Sequence, residues 1–121
     1  MKVTWLFQQQ HTLEERTLFA RKMMRRHIGN VPIVLGRDPR SRSGVFDEMR
    51  ISVPGNLTVV DLRVALRRKL QVRSRASVVF FINNTIPSST DSLVSLYMTH
   101  KDSDRFLYMS FCDENVFGAQ N

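Results

Sequence analysis

Apolar residues recur at helical spacing through Phe19, Ala20, Met23 and Met24, and the stretch around them is bracketed by helix signals. Thr12 and Glu15 stand three apart, as a capping box requires. Acids open the segment, and Arg21, Lys22, Arg25 and Arg26 close it, in the order the helix dipole favours. The pattern predicts a helix over 12–27, stopped near Gly29-Asn30, with a short helix before it over 2–9. Val31-Pro32-Ile33-Val34-Leu35 is an unbroken apolar run, read as a buried strand. Its proline has no N–H for a ladder, so it belongs at the strand start or on an edge. Met49-Arg50-Ile51-Ser52-Val53 alternates strictly, which buries one face of a strand. Thr58 with Asp61 starts a helix over 58–70 that turns Val59, Leu62, Leu66 and Leu70 to one side. Val78 to Ile82 has no polar face, so it is expected to be a central strand. Asn83-Asn84 and Pro87 mark a turn, 90–97 a short helix with Leu93, Leu96 and Tyr97 inward, and 106–111 a last strand.

The order is helix, strand, strand, helix, strand, short helix, strand. Two strands, a crossover helix and two more strands make an α+β domain: a four-stranded mixed sheet packed on one helix. This is the ubiquitin-like, or β-grasp, order with two extra N-terminal helices. It divides the chain into an N-terminal helical segment (1–27), a core (28–114) and a C-terminal tail (115–121).

Composition narrows the picture. At 121 residues and 42% hydrophobic content the chain fits one globular domain. Cys112 is the single cysteine and excludes an internal disulfide; with it, three dispersed histidines make no zinc set. A reducing, cytosolic setting follows. No apolar run approaches the roughly 20 residues of a spanning helix, and the start is too short for a secretory signal. Charge is uneven: residues 1–75 carry 16 Lys and Arg against 6 Asp and Glu, and residues 76–121 carry 2 against 5. Arg25, Arg26, Arg67 and Lys69 mark a basic surface suited to anionic lipid, acidic protein segments or nucleic acid, unless it is simply solvated.

Searches for catalytic chemistry return nothing. Phosphate-binding glycine loops, metalloprotease histidines, a nucleophile elbow and paired cysteines are all missing. His11, His27 and His100 lie far apart, and Cys112 at a strand end reads as a small buried hydrophobe. The expectation is a protein that is not an enzyme and uses neither metal nor cofactor. No helix-turn-helix or aromatic-interleaved basic strand supports specific nucleic-acid binding.

"FFINNTIP", "LYMTH" and "FLYMSFCDENVFG", with "VPIVL", "VPGNLTV" and "HTLEER" in the same order, closely resemble the autophagy ubiquitin-like modifiers, the family of GABARAP and the microtubule-associated light-chain proteins. The likeness runs from about His11 to Gly118. It implies a conjugation cycle: a cysteine protease trims the precursor after a glycine, activating and conjugating enzymes carry the exposed carboxylate, and phosphatidylethanolamine receives it. Carried over, Gly118 is the conjugated residue and Ala119-Gln120-Asn121 the removed tail. A glycine can thread a channel that a Cβ would block, and Phe117 gives the enzymes an anchor. Two acyl chains then hold the domain on a membrane. The implied location is cytoplasmic, and the autophagosome membrane after lipidation, with the protein a monomer.

The resemblance also implies recruitment of receptors and adaptors through short aromatic-x-x-aliphatic motifs, added as a strand to the sheet edge Met49, Arg50, Ile51, Ser52, Val53. Phe19, Met23, Pro32, Arg50 and Phe106 are expected to form the first pocket. Ile51, Val53, Pro54, Leu57, Leu62 and Leu66 are expected to form the second. Plain core is the alternative for most of them; Arg50 and Phe106 fit it least, being out of phase with their apolar neighbours. The chain departs from the usual pattern at Thr12, Phe19, Asn30, Glu48, Ser52 and Ala65; Ala65 makes the second pocket roomier, and the first pocket should be greasier than usual and less dependent on acidic flanks. The alternative function is an unconjugated adaptor of the same fold in vesicle trafficking or microtubule association.

Overall fold

The computed structural model describes residues 4–39, 48–67, 69 and 78–113. Phe117, Gly118, Leu70 and most of the basic loop after Gly36 lie outside them. Four helices and four strands follow in the order α1 (Leu6–Gln10), α2 (Leu13–Arg26), β1 (Asn30–Arg37), β2 (Glu48–Pro54), α3 (Val59–Arg67), β3 (Val78–Phe81), α4 (Leu93–His100) and β4 (Leu107–Asp113).

Local chemistry sets the boundaries. At the start of α2 the Glu15 backbone N–H donates to the Thr12 hydroxyl at 3.1 Å, and the Thr12 N–H donates to the Glu15 carboxylate at 2.8 Å. Both halves of the capping box are therefore closed. Thr58 and Asp61 make the same reciprocal pair before α3, at 3.0 and 3.3 Å. The bonds from Thr58 hold the Asp61 carboxyl below the usual carboxylate range. Ser92 accepts from the Ser95 N–H at 3.2 Å and starts α4. Asn83 and Asn84 take φ of 52° and 62°, the left-handed region that asparagine tolerates, and close a tight turn between Ile82 and Thr85.

The strands form one sheet in the order β2-β1-β4-β3. β1 pairs with β2 antiparallel and with β4 parallel; β3 pairs with β4 antiparallel. The mixed α+β sheet with two leading helices is thus the observed fold. The expected position of β3 is corrected: it is an edge strand, and β1 and β4 are central. Its burial alternates, with Val78 and Phe80 buried and Val79 and Phe81 half-buried. An apolar strand can therefore lie at an edge when one face is only partly covered. Pro32 sits in central β1, yet the pairing with β4 begins one residue later, at Ile33 opposite Leu107. The proline is tolerated where the strand is still locally an edge.

Side-chain alternation separates two faces. On one, α3 and α4 bring Val59, Leu62, Leu66, Leu93 and Leu96 against Ile33, Leu35, Leu107, Met109, Phe111 and Phe80. On the other, α1 and α2 bring Phe7 and Ala20 against Val34 and Phe106, with Trp5, Met23, Met24 and Tyr108 packed around them. Cys112 is fully buried.

Candidate functional site

β2 is the terminal strand of the sheet, so one row of its backbone N–H and C=O groups has no neighbouring strand. Period-2 alternation assigns its side chains. Met49, Ile51 and Val53 pack against the α3/α4 cluster. Arg50 lies opposite Val34, and Ser52 opposite Pro32, on the α1/α2 face. The two expected pockets therefore lie on opposite faces of one open edge.

The first group comes together around a residue that the sequence did not single out, Phe7. The Phe7 ring lies 5.1 Å from the Phe106 ring, edge to face, and 5.9 Å from Phe19. The Arg50 guanidinium carbon sits 4.7 Å from the centre of Phe7 and 5.1 Å from that of Phe19, close enough for cation–π attraction. His11 completes the aromatic cluster, 5.3 Å from both rings. Met23 packs on the same cluster, and Pro32 is buried nearby in β1. One expectation changes: Phe106 is 0% exposed, so it does not line an open pocket in this structure. Its out-of-phase position is that of a residue facing the N-terminal helices.

In the second group Ile51, Val53 and Leu57 are half-buried and Pro54 is exposed. Leu62 and Leu66 are corrected to core residues, since the close packing of α3 on the sheet leaves them 0% and 6% exposed. Arg25, Arg26, Arg67 and Lys69 are all exposed.

Glu48, Asn30, Ser52 and Thr12 each make a defined hydrogen bond. The Glu48 carboxylate accepts from the backbone N–H groups of Leu6 and Phe7, at 2.8 and 2.9 Å. It thus caps α1, whose own N-cap residue, Trp5, supplies no side-chain bond. Asn30 donates to the Ser52 hydroxyl at 3.2 Å. Thr12 is the α2 cap. A cavity of about 200 Å³ remains beside the edge, lined by Leu6, Phe7, Gln10, Glu48, Met49 and Arg50.

A buried polar network ties the N-terminal helices to β4. Asp104, 0% exposed, accepts from Arg16 Nε at 2.9 Å, from the Phe106 N–H at 2.9 Å and from the Tyr108 hydroxyl. Arg16 also donates to the carbonyls of His11 (2.8 Å) and Gln8 (3.4 Å). Burial pushes the Tyr108 phenol well above its ordinary range, and the Asp104 carboxylate adds to the shift. Trp5 lies 5.1 Å from Tyr108 and directly over Gly36, where an added Cβ would meet the indole at 2.5 Å. The Arg16–Asp104, Trp5–Tyr108 and Trp5–Gly36 contacts pair residues far apart in sequence, and no pattern announces them. Among the described residues no group of His, Cys, Asp and Glu could hold a metal ion.

A family model described as autophagy protein Atg8, ubiquitin-like, matches residues 15–118. A crystal structure of Trypanosoma brucei ATG8 superimposes with a TM-score of 0.87 at 29% identity, covering 93% of this chain and 97% of that one. Plasmodium falciparum Atg8, solved in complex with a Plasmodium falciparum Atg3 peptide, superimposes with a TM-score of 0.76 at 22% identity, covering 92% and 99%.

Proposed function

The chain belongs to the Atg8 family of ubiquitin-like autophagy proteins, and on that premise we propose that it is a precursor trimmed after Gly118 and conjugated through that residue to phosphatidylethanolamine. The observation that carries the reading is the family match itself, which runs to Gly118 and stops before Ala119-Gln120-Asn121. A glycine carboxylate offers the enzymes of the cycle an unhindered acyl group. Among the described residues no helix is long and apolar enough to cross a membrane. Two acyl chains on Gly118 would anchor the domain stably.

In this reading the chain is carried, not catalytic, and needs no cofactor; its lipid is a covalent substrate. Its partners are a processing cysteine protease, an activating enzyme and a conjugating enzyme. The Atg3 peptide bound to the Plasmodium relative is the reason to expect a short segment of the conjugating enzyme to dock on this chain too. Receptors and adaptors would add an aromatic-x-x-aliphatic strand along β2, with one anchor toward Arg50 and Phe19 and the other toward Ile51, Val53 and Leu57. The protein would be cytoplasmic until lipidation places it on autophagosomal membranes.

Intact mass of the protein from cells in active autophagy, wild type beside Gly118→Ala, tests the reading. The expected result is loss of the three-residue tail and gain of a phospholipid mass, both absent in the variant. A wild-type chain retaining all 121 residues under those conditions would overturn it.

A further inference from the structure

The first pocket already holds an aromatic side chain. Phe7 is 2% exposed and touches three of the residues expected to receive a peptide's aromatic anchor: Phe19, Arg50 and Phe106. It uses the interactions that such an anchor would use, an edge-to-face contact with Phe106 and the guanidinium of Arg50 over its ring. We propose that Phe7 is this chain's own occupant of the aromatic pocket, that Glu48 is the latch that seats it, and that a motif peptide binds by exchanging its aromatic residue for Phe7. The inference rests on the motif-binding reading above and adds to it a built-in competitor.

Three observations support exchange over permanent burial. First, α1 has only five residues, too few to be stable as an isolated helix. Its seating depends on contacts with the rest of the fold. Second, the capping carboxylate comes from β2, the strand that a peptide would join, so the latch and the docking edge are one element. Third, the remaining cavity of about 200 Å³ is bounded by Phe7 and Glu48 themselves, so the gap beside the edge would widen if α1 moved away. Phe106 would then become reachable, since the Phe7 ring packs against it.

The energetic consequence is direct. A peptide that needs the unseated state binds with its intrinsic affinity reduced by the fraction of molecules unseated. Weakening the latch raises that fraction. Glu48→Gln leaves one neutral acceptor oxygen where two carboxylate oxygens hold the Leu6 and Phe7 N–H groups, so one bond to α1 is lost and the other loses its charge. A tighter apparent Kd of about tenfold is expected.

Trp5, the single tryptophan, is packed on Gly36 and Tyr108 immediately before α1 and reports its seating. The experiment titrates a tryptophan-free Phe-x-x-Leu peptide into wild type, Glu48→Gln and Phe7→Ala, following binding by calorimetry and Trp5 emission in parallel. The expected result is a red shift of wild-type Trp5 emission that saturates with the binding isotherm. Both variants should bind about tenfold more tightly, and a peptide with Ala in place of Phe should lose the advantage. Binding to wild type with unchanged Trp5 emission, and equal affinity for Glu48→Gln, would overturn the exchange while leaving motif binding intact. No binding to any of the three proteins would instead remove the motif-binding reading, and the exchange with it. Glu48→Gln keeps the test decisive should Phe7→Ala fail to fold.

Discussion

Among the described residues, the α3/α4 face of the sheet buries fourteen apolar residues in one cluster; the α1/α2 face buries four, Phe7, Ala20, Val34 and Phe106. The first face is held by area removed from water. The second depends as much on a few directional contacts: the Glu48 carboxylate on α1, Arg16 and Tyr108 on Asp104, and Trp5 on Gly36. Burial of many side chains is lost only when the domain unfolds. A face held by a handful of named contacts can open while the domain stays folded. The free edge of β2 runs between the two, so a ligand strand would meet one rigid flank and one that can yield.

The largest expected effect tests the rigid flank. Phe111→Ala removes a fully buried ring from the main cluster and should cost about 3–5 kcal/mol in denaturant unfolding. A loss under about 1 kcal/mol would mean that this face is no better consolidated than the other. The second test targets the polar network. Asp104→Ala leaves the Arg16 charge and the Phe106 N–H without their partner and should cost about 2–4 kcal/mol. It should also shift Trp5 emission to the red, a change that Phe111→Ala should not produce in the folded state.

The smallest effect is in alkali. The folded pKa of Tyr108 lies above its unfolded value of 10.0, because burial and the Asp104 carboxylate disfavour the phenolate. The stability this contributes is therefore complete below pH 10 and is lost as pH rises above it. Tyr108→Phe gives up one hydrogen bond, about 1 kcal/mol near neutrality, and should flatten that alkaline decline. Denaturation midpoints from pH 8 to 11 would show it. Parallel curves for the two proteins would place the phenol outside the network.

The rigid face was largely legible in the sequence. Leu62 and Leu66 on α3 and Leu93 and Leu96 on α4 follow helical periodicity, and Thr58-Asp61 marks the start of α3 by local chemistry. β3 was misplaced at the sheet centre because its apolar character says nothing about how completely each face is covered. On the yielding face α2 is legible from its Thr12-Glu15 box, but the contacts that hold the face are not. Phe106 and Arg50 stood out as out of phase, but the residue they meet, Phe7, lies on the far side of the chain. Glu48 caps backbone groups 41 and 42 positions earlier, and Arg16 reaches Asp104 across 88. Contacts at such separations are made by the fold and leave no periodic trace. The tail residues Phe117 and Gly118 lie outside the described residues and rest on the family resemblance.

Hydrogen exchange at the amides of Leu6 and Phe7, the two donors to Glu48, tests the central contrast most directly. The account predicts that they exchange through a local opening, well before the amides of β1 and β4, and that a saturating Phe-x-x-Leu peptide accelerates them while protecting β2. Amides of Leu6 and Phe7 that exchange only with global unfolding, or that slow when the peptide binds, would contradict it.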